Sequence, residues 1–140
     1  AKGKQQPLEF LWFFPTHGDV RYFGKESGAR KVDNQYLRAM AISLDRLGYF
    51  GALLPTGNFC EDSLVVASAL VTHTERLRYL IALRPGSMVP AESARQCSAL
   101  DRLSRGRLLL NVVSGGVAGP IPSRFNISSS KAFPQFPTIP

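Results

Sequence analysis

Four short runs of consecutive apolar residues recur along the chain, and their spacing constrains the fold more than any other feature. Each run is about as long as a β-strand and is apolar on successive residues, which is typical of strands covered on both faces of a parallel sheet. The runs are FLWFF (10–14), FGALL (50–54), RYLIAL (78–83) and LLLNVV (108–113). After a longer first interval their starts lie roughly 30 residues apart, as expected for repeated βα units.

Helical patterns fill the three intervals between these runs. The first begins after Asp33, a good N-cap, and ends at Gly48, where a left-handed glycine belongs. The second begins near Asp62. The third follows Pro90, a residue that the first turn of a helix tolerates, and stops at Gly106. The order β-α-β-α-β-α-β predicts an α/β fold with a parallel sheet.

Two architectures share this order of elements. Four βα units are about half of an eight-unit TIM-type barrel, which takes ~250 residues. The alternative is a four-stranded doubly wound sheet, and periodicity alone does not separate the two. Segment 117–140 differs from both, since it contains five prolines and no acid and shows no helical or strand period. We therefore predict a folded part over 1–116 and an irregular tail over 117–140.

The charge of the chain limits its partners. Lys and Arg total 17 against 10 acids, a net charge of +7, which could indicate nucleic acid or an anionic ligand. The positive residues are scattered singly, however, and neither RNA-binding aromatic motifs nor a continuous basic helix occurs. We predict no nucleic-acid partner, and without zinc-finger spacing we predict no metal site.

Cysteine usage and hydropathy bear on the compartment. Cys60 and Cys97 are 37 positions apart and form no CxxC pair, which favours a reducing compartment. The first ten residues lack the apolar core of a signal peptide, and no run approaches the ~20 apolar residues of a membrane span. We therefore expect a cytoplasmic protein without a membrane partner.

Polar residues follow each predicted strand, where parallel α/β folds bind their ligands. His17 is a candidate ligand or proton donor, or else a solvated loop residue. Cys60 is a candidate reactive thiol or a small packing residue. Arg84 could hold an anion or pair with an acid. The Ser114-Gly-Gly turn could present backbone N–H groups to a phosphate, or serve as a plain turn.

Several longer motifs occur in one order along residues 10–116. They are LWFFPTHGDVRYFG, SGARKVDNQYL, DRLGYFGALLPTGNFCEDSLVVAS, LRYLIALRPG and ARQCSALDRLSRGRLLLNVVSGG. Together they closely resemble the FMNH2-dependent alkanesulfonate monooxygenases, which belong to the bacterial luciferase-like flavin barrels. The resemblance implies that the chain is the N-terminal portion, about four βα units, of a TIM-type (β/α)8 barrel.

The resemblance also implies an activity. Reduced FMN, delivered by an NAD(P)H-dependent FMN reductase, and O2 would convert an alkanesulfonate to an aldehyde and sulfite, in a homo-oligomeric enzyme. Cys60 matches the family's active-site cysteine near the flavin, and His17 falls on a pocket-facing loop, so both are catalytic candidates. Asn111 and Ser114, with Cys60, are candidates for binding the cofactor, and Arg84 for binding the substrate.

Departures from the family pattern leave other functions open. The family chain is much longer, and its later units supply the residues that bind sulfonate and manage proton transfer. We therefore expect this chain to be an incomplete piece that is inactive by itself. The alternatives are a non-catalytic fragment or pseudogene product, and a sibling flavin-dependent monooxygenase with another small substrate.

Overall fold

The computed structural model describes residues 7–19, 30–57 and 59–113 of the 140-residue chain. The predicted boundary after residue 116, the predicted irregular tail and Ser114 lie outside the described residues. Within the described ranges, no helix is both long and apolar enough to cross a membrane.

Strands and helices alternate in the predicted order. They are β1 (Leu11–Phe13), α1 (Asn34–Leu47), β2 (Gly51–Leu54), α2 (Ser63–Leu70) with a 3-10 turn (Val71–His73), β3 (Arg78–Leu83), α3 (Pro90–Ser104) and β4 (Leu108–Val112). The four apolar runs of the sequence therefore all contain strands.

The strands form one sheet in the order β1-β2-β3-β4, with every neighbouring pair parallel. Trp12 lies opposite Ala52, and Ala52 lies opposite Tyr79 in the next pair. Consecutive parallel strands require each connection to cross back over the sheet, which the three helices do. The α/β fold class and the adjacency of the four runs are confirmed.

Local capping explains where the helices begin and end. Asp33 accepts a hydrogen bond from the backbone N–H of Gln35 at 2.9 Å, and Asp62 accepts one from Val65 at 2.9 Å. Gly48 ends α1 with a φ of 78°, in the left-handed region. Arg105 ends α3 in the same conformation with a φ of 59°, directly before Gly106.

The hydrophobic core lies between the sheet and the helices. Side chains alternate along a strand, so Ala52, Leu54, Tyr79 and Ile81 share the helix-facing side, and all four are buried. They pack with buried residues of the helices, which include Leu37, Ala41, Leu44, Ala67, Leu70 and Leu100. The outer strands are less covered: Phe13 of β1 is 51% exposed and Leu110 of β4 is 50% exposed.

Asp45 stabilises the segment that leads into β3, at the edge of the sheet where the strands begin. Its carboxylate, near the end of α1, accepts the backbone N–H groups of Glu75, Arg76 and Leu77 at 2.5 to 3.0 Å. These three residues lead into β3. One side chain therefore fixes the turn that sets the start of the third strand.

Arg107, directly before β4, also stabilises the edge of the sheet at which the strands begin. Its guanidinium donates to the carbonyls of Val71, Leu77 and Ser104 and to the hydroxyl of Thr74, at 2.7 to 3.0 Å. The Thr74 hydroxyl also lies 2.8 Å from the hydroxyl of Tyr79. All three guanidinium nitrogens of Arg107 are therefore hydrogen-bonded, which stabilises the conformation of the chain at the start of β4.

Candidate functional site

The loops that follow the strands meet at one edge of the sheet, because all four strands run in the same direction. The loops after β1 and β2 are joined directly, since the backbone N–H of Glu61 donates to the carbonyl of Thr16 at 3.1 Å. The loops after β2 and β3 both contribute to one cavity, which Thr56 and Arg84 line together. The structure thus brings three of the four predicted loops together at this edge.

His17 lies four residues beyond β1 and is exposed. Its ring centroid is 6.5 Å from that of Phe13, in an edge-to-face arrangement. The chain next to it is held by a backbone bridge in which Asp19 and Arg30 exchange hydrogen bonds of 3.1 and 2.7 Å. Gly18, between His17 and Asp19, has a φ of +101°, and a Cβ there would come within 2.7 Å of the Arg30 carbonyl oxygen, so only glycine fits this turn.

Cys60 is half-buried in the loop between β2 and α2. Its backbone N–H donates to the carbonyl of Gly57 at 3.1 Å, which closes a tight turn. A side chain added at Gly57 would meet the Cys60 sulfur at 3.7 Å, an ordinary contact. Cys60 lies six residues beyond the end of the buried strand β2 and two residues before Asp62, the cap of α2.

Arg84 is the first residue after β3 and is half-buried. Its Nε is buried and has no hydrogen-bond acceptor among the described residues. Its carbonyl accepts the Ser87 hydroxyl at 2.8 Å, which shapes the loop. An unpaired buried donor on a cation is costly, so this guanidinium is suited to receiving an anionic oxygen.

Asn111 is half-buried on β4, opposite Ala82 of β3. Strand alternation places Ala82 and Asn111 on the side of the sheet away from the helices, together with Leu53 and Leu80. Asn111 therefore lies on a different side of the sheet from the helix-facing core. Its predicted companion Ser114 is outside the described residues.

Two residues at this edge were not among the candidates from the sequence. Thr16 is fully buried and its hydroxyl has no hydrogen-bond partner among the described residues. Cys97 of α3 is buried, burial raises the pKa of its thiol, and it lines the same cavity as Arg84. No local sequence signal marks either residue, since both are brought to the edge by the packing of separate elements.

Comparison with known proteins gives a family and a fold. A family model described as luciferase-like monooxygenase matches residues 8–132. Solved structures that are similar include a long-chain alkane monooxygenase, LadA, with a TM-score of 0.67 at 20% identity, covering 80% of this chain and 32% of that one. The four strands and three helices thus have the fold of part of a luciferase-like TIM-type barrel, which confirms that architecture over the doubly wound sheet.

Two further structures extend the comparison. Riboflavin lyase RcaE, solved with modified FMN and its substrate riboflavin, has a TM-score of 0.64 at 20% identity, covering 78% of this chain and 30% of that one. EDTA monooxygenase EmoA from Chelativorans sp. BNC1 has a TM-score of 0.64 at 18% identity, covering 83% of this chain and 31% of that one. The chain spans about a third of the length of the structures it matches.

Proposed function

The chain belongs to the luciferase-like monooxygenase family, and we propose that it forms part of a two-component monooxygenase that uses reduced FMN and O2. We further propose that the substrate is an alkanesulfonate, that the products are an aldehyde and sulfite, and that an NAD(P)H-dependent FMN reductase delivers the flavin. The reaction would take place in the cytoplasm, where that reductase finds its NAD(P)H, and the enzyme would be homo-oligomeric.

The convergence of three loops on one polar edge carries this proposal. A flavin ring system is a flat apolar surface with polar atoms along its rim. The side of the sheet away from the helices offers apolar Leu53 and Leu80, with the amide of Asn111 on the same side. At the end of the strands, the Thr16 hydroxyl and the Arg84 Nε are buried and lack partners among the described residues. The two leucines, the Asn111 amide and the Thr16 hydroxyl fit the cofactor, since they combine apolar contact with hydrogen-bonding atoms, and the Arg84 Nε is left for the substrate.

Each candidate residue has a role that its chemistry allows. The Asn111 amide can both donate to and accept from the polar rim of the flavin. We assign exposed His17, whose ring lies beside Phe13, to donating a hydrogen bond to the rim of the flavin and to exchanging a proton with a bound substrate. Cys60 would contact the cofactor as a half-buried thiol, and Arg84 would hold the sulfonate through charge-assisted hydrogen bonds. Bound reduced FMN would supply the electrons with which O2 is activated.

A second candidate is a sibling flavin monooxygenase with another small substrate. The similar structures are named for activity on alkanes, riboflavin and EDTA, so the fold is compatible with several substrates. A third candidate is a non-catalytic piece. It is favoured by the exposed apolar residues of β1 and β4, such as Trp12 at 45% and Leu110 at 50% exposure.

The two histidines of the chain offer a matched test of the flavin site. His17 follows the end of β1, whereas His73 is exposed at the opposite edge, shortly before β3. We expect the chain to bind FMN weakly, and His17→Ala and Asn111→Ala to weaken that binding by about twofold to tenfold, the range for one lost hydrogen bond. His73→Ala should leave it unchanged.

The measurement is titration of FMN fluorescence, with the unfolding free energy of each variant measured in parallel. Weaker binding in the first two variants at unchanged stability would support the flavin site. Equal affinities in all three variants and the parent chain would contradict it.

A further inference from the structure

The position of the His17 ring is set chiefly by the backbone that carries it. The side chain is exposed, and its ring lies edge-to-face with Phe13 at a centroid distance of 6.5 Å. Directly before His17 the chain is fixed, because the carbonyl of Thr16 accepts the backbone N–H of Glu61 at 3.1 Å. What fixes the chain directly after His17 therefore helps to decide where the imidazole lies.

Three residues, Asp19, Arg30 and Tyr36, form a cluster that fixes the chain on this second side. Asp19 and Arg30 exchange backbone hydrogen bonds of 3.1 and 2.7 Å. The Tyr36 hydroxyl donates to the Asp19 carboxylate at 3.2 Å. The guanidinium carbon of Arg30 lies 4.2 Å from the centroid of the Tyr36 ring, within the range of a cation–π contact. One aromatic side chain thus contacts both residues of the backbone bridge.

Tyr36 connects this cluster to the folded core. It lies in the first turn of α1, and its half-buried side chain packs against the hydrophobic core. Burial, followed by the Asp19 carboxylate, raises the pKa of Tyr36, so its hydroxyl keeps its proton and remains a donor at neutral pH. The loop that carries His17 is therefore attached to a helix whose own position is set by core packing.

We propose that Tyr36 is a positioning residue, which through Asp19 and Arg30 holds the backbone that places His17 at the edge where the strands end. The inference rests on the proposed function in taking His17 as a residue that contacts the flavin. It adds a residue on α1, away from the ends of the strands, on which that contact depends. A purely structural Tyr36 would change the unfolding free energy without changing the affinity that His17 contributes.

A double-mutant cycle on the FMN affinity of the 140-residue chain tests this dependence. Tyr36→Phe removes only the hydroxyl and keeps the ring beneath Arg30. We expect it to weaken FMN binding by about twofold to fivefold, since it loosens His17 without removing it. In the His17→Ala background the same substitution should change the affinity by less than about 1.5-fold, because no imidazole is left to position. A loss that is equal in both backgrounds would overturn the proposal.

Tyr49 provides the matched control. It is also half-buried, and it lies directly before β2, at the opposite edge of the sheet, with its ring edge-to-face with Trp12 at 5.9 Å. Tyr49→Phe should leave the FMN affinity unchanged, and an equal loss in Tyr49→Phe and Tyr36→Phe would count against the proposal. Asp19→Ala should weaken binding as Tyr36→Phe does, whereas Asp19→Asn keeps an acceptor oxygen for the Tyr36 hydroxyl and should retain the affinity.

The position of His17 can also be followed without FMN. In the parent chain the ring protons of His17 and Phe13 should give a nuclear Overhauser cross-peak, because the two rings are in contact. This cross-peak should weaken in Tyr36→Phe and persist in Tyr49→Phe. An unchanged cross-peak in Tyr36→Phe would overturn the positioning role, whatever the FMN titrations give.

The two readouts separate this inference from the proposed function. If His17→Ala weakens FMN binding but Tyr36→Phe does not, this inference alone is wrong. If the cross-peak between His17 and Phe13 depends on Tyr36 while His17→Ala leaves the FMN affinity unchanged, Tyr36 does position His17 and the proposed flavin contact of His17 is wrong.

Discussion

Replacing Asp45 by asparagine should destabilise the chain far from the candidate site. The Asp45 carboxylate accepts three backbone N–H groups, two at Oδ1 from Arg76 and Leu77 and one at Oδ2 from Glu75. Asparagine keeps one acceptor oxygen but turns an NH2 group towards the third N–H and removes the charge. One charge-assisted hydrogen bond is worth about 1.5–3 kcal/mol, so we expect Asp45→Asn to lower the unfolding free energy by about 2 kcal/mol.

That loss should depend on pH. Burial by itself would raise the pKa of the Asp45 carboxyl, but the three backbone N–H groups together hold that pKa below its usual value. A carboxyl whose folded pKa is depressed stabilises the fold above its unfolded pKa of about 3.9. This stabilisation disappears as the pH falls through the folded pKa. The difference between parent and Asp45→Asn should therefore be full at neutral pH and shrink in acid.

Urea denaturation followed by circular dichroism measures both effects. Asp101→Asn is the matched control, because the Asp101 side chain makes no hydrogen bond among the described residues. It should change the unfolding free energy by less than about 0.5 kcal/mol. The reasoning would be refuted if Asp45→Asn cost no more than Asp101→Asn at neutral pH, or if its cost stayed constant into acid.

Burial, hydrogen bonding and open strand edges give three other tests. Cys60 should react with a thiol reagent well before buried Cys97, whose pKa is raised by burial, and equal rates would contradict this. Arg107→Lys should cost about 2 kcal/mol or more of unfolding free energy, since lysine cannot make the same set of hydrogen bonds, whereas exposed Arg102→Lys should cost almost nothing; equal losses would count against it. β1 and β4 each have one neighbour in the described sheet, so each leaves one strand edge open. Trp12→Lys, on exposed β1, should therefore reduce self-association in sedimentation. In a reductase-coupled assay with octanesulfonate, the chain alone should release no sulfite. Sulfite that scales with the amount of chain would contradict that account.

The fold follows from the sequence wherever the information is local. Asp33 and Asp62 cap their helices as their residue types predict, and Gly48 ends α1 in the left-handed conformation. β2 and β3 are recognisable because burial on both faces requires consecutive apolar residues, and β1 and β4 carry the same pattern although they are exposed or half-buried among the described residues. The choice between a barrel part and a doubly wound sheet came from the family resemblance, since periodicity is the same in both.

The polar contacts between distant elements were not predictable in this way. Asp45 reads as a solvated position on the outer face of α1, yet it binds residues 30 to 32 positions later. Thr16 reads as an ordinary loop residue, yet it is fully buried beside the loop that carries Cys60. Cys97 belongs to no cysteine motif in the sequence, yet it is buried in α3 and lines the cavity of Arg84. Such contacts depend on how elements pack, which no short motif records.

Backbone amide NMR of the ¹⁵N-labelled chain tests most directly whether the carboxyl ends of the strands form one flavin-binding edge. Titration with FMN, which detects weak binding, should shift the amides of Thr16, Cys60 and Asn111 at this edge. The amides of Arg78 and Leu108, at the starts of their strands, should stay in place. Shifts confined to the starts of the strands, or no shifts at millimolar FMN, would contradict the claim.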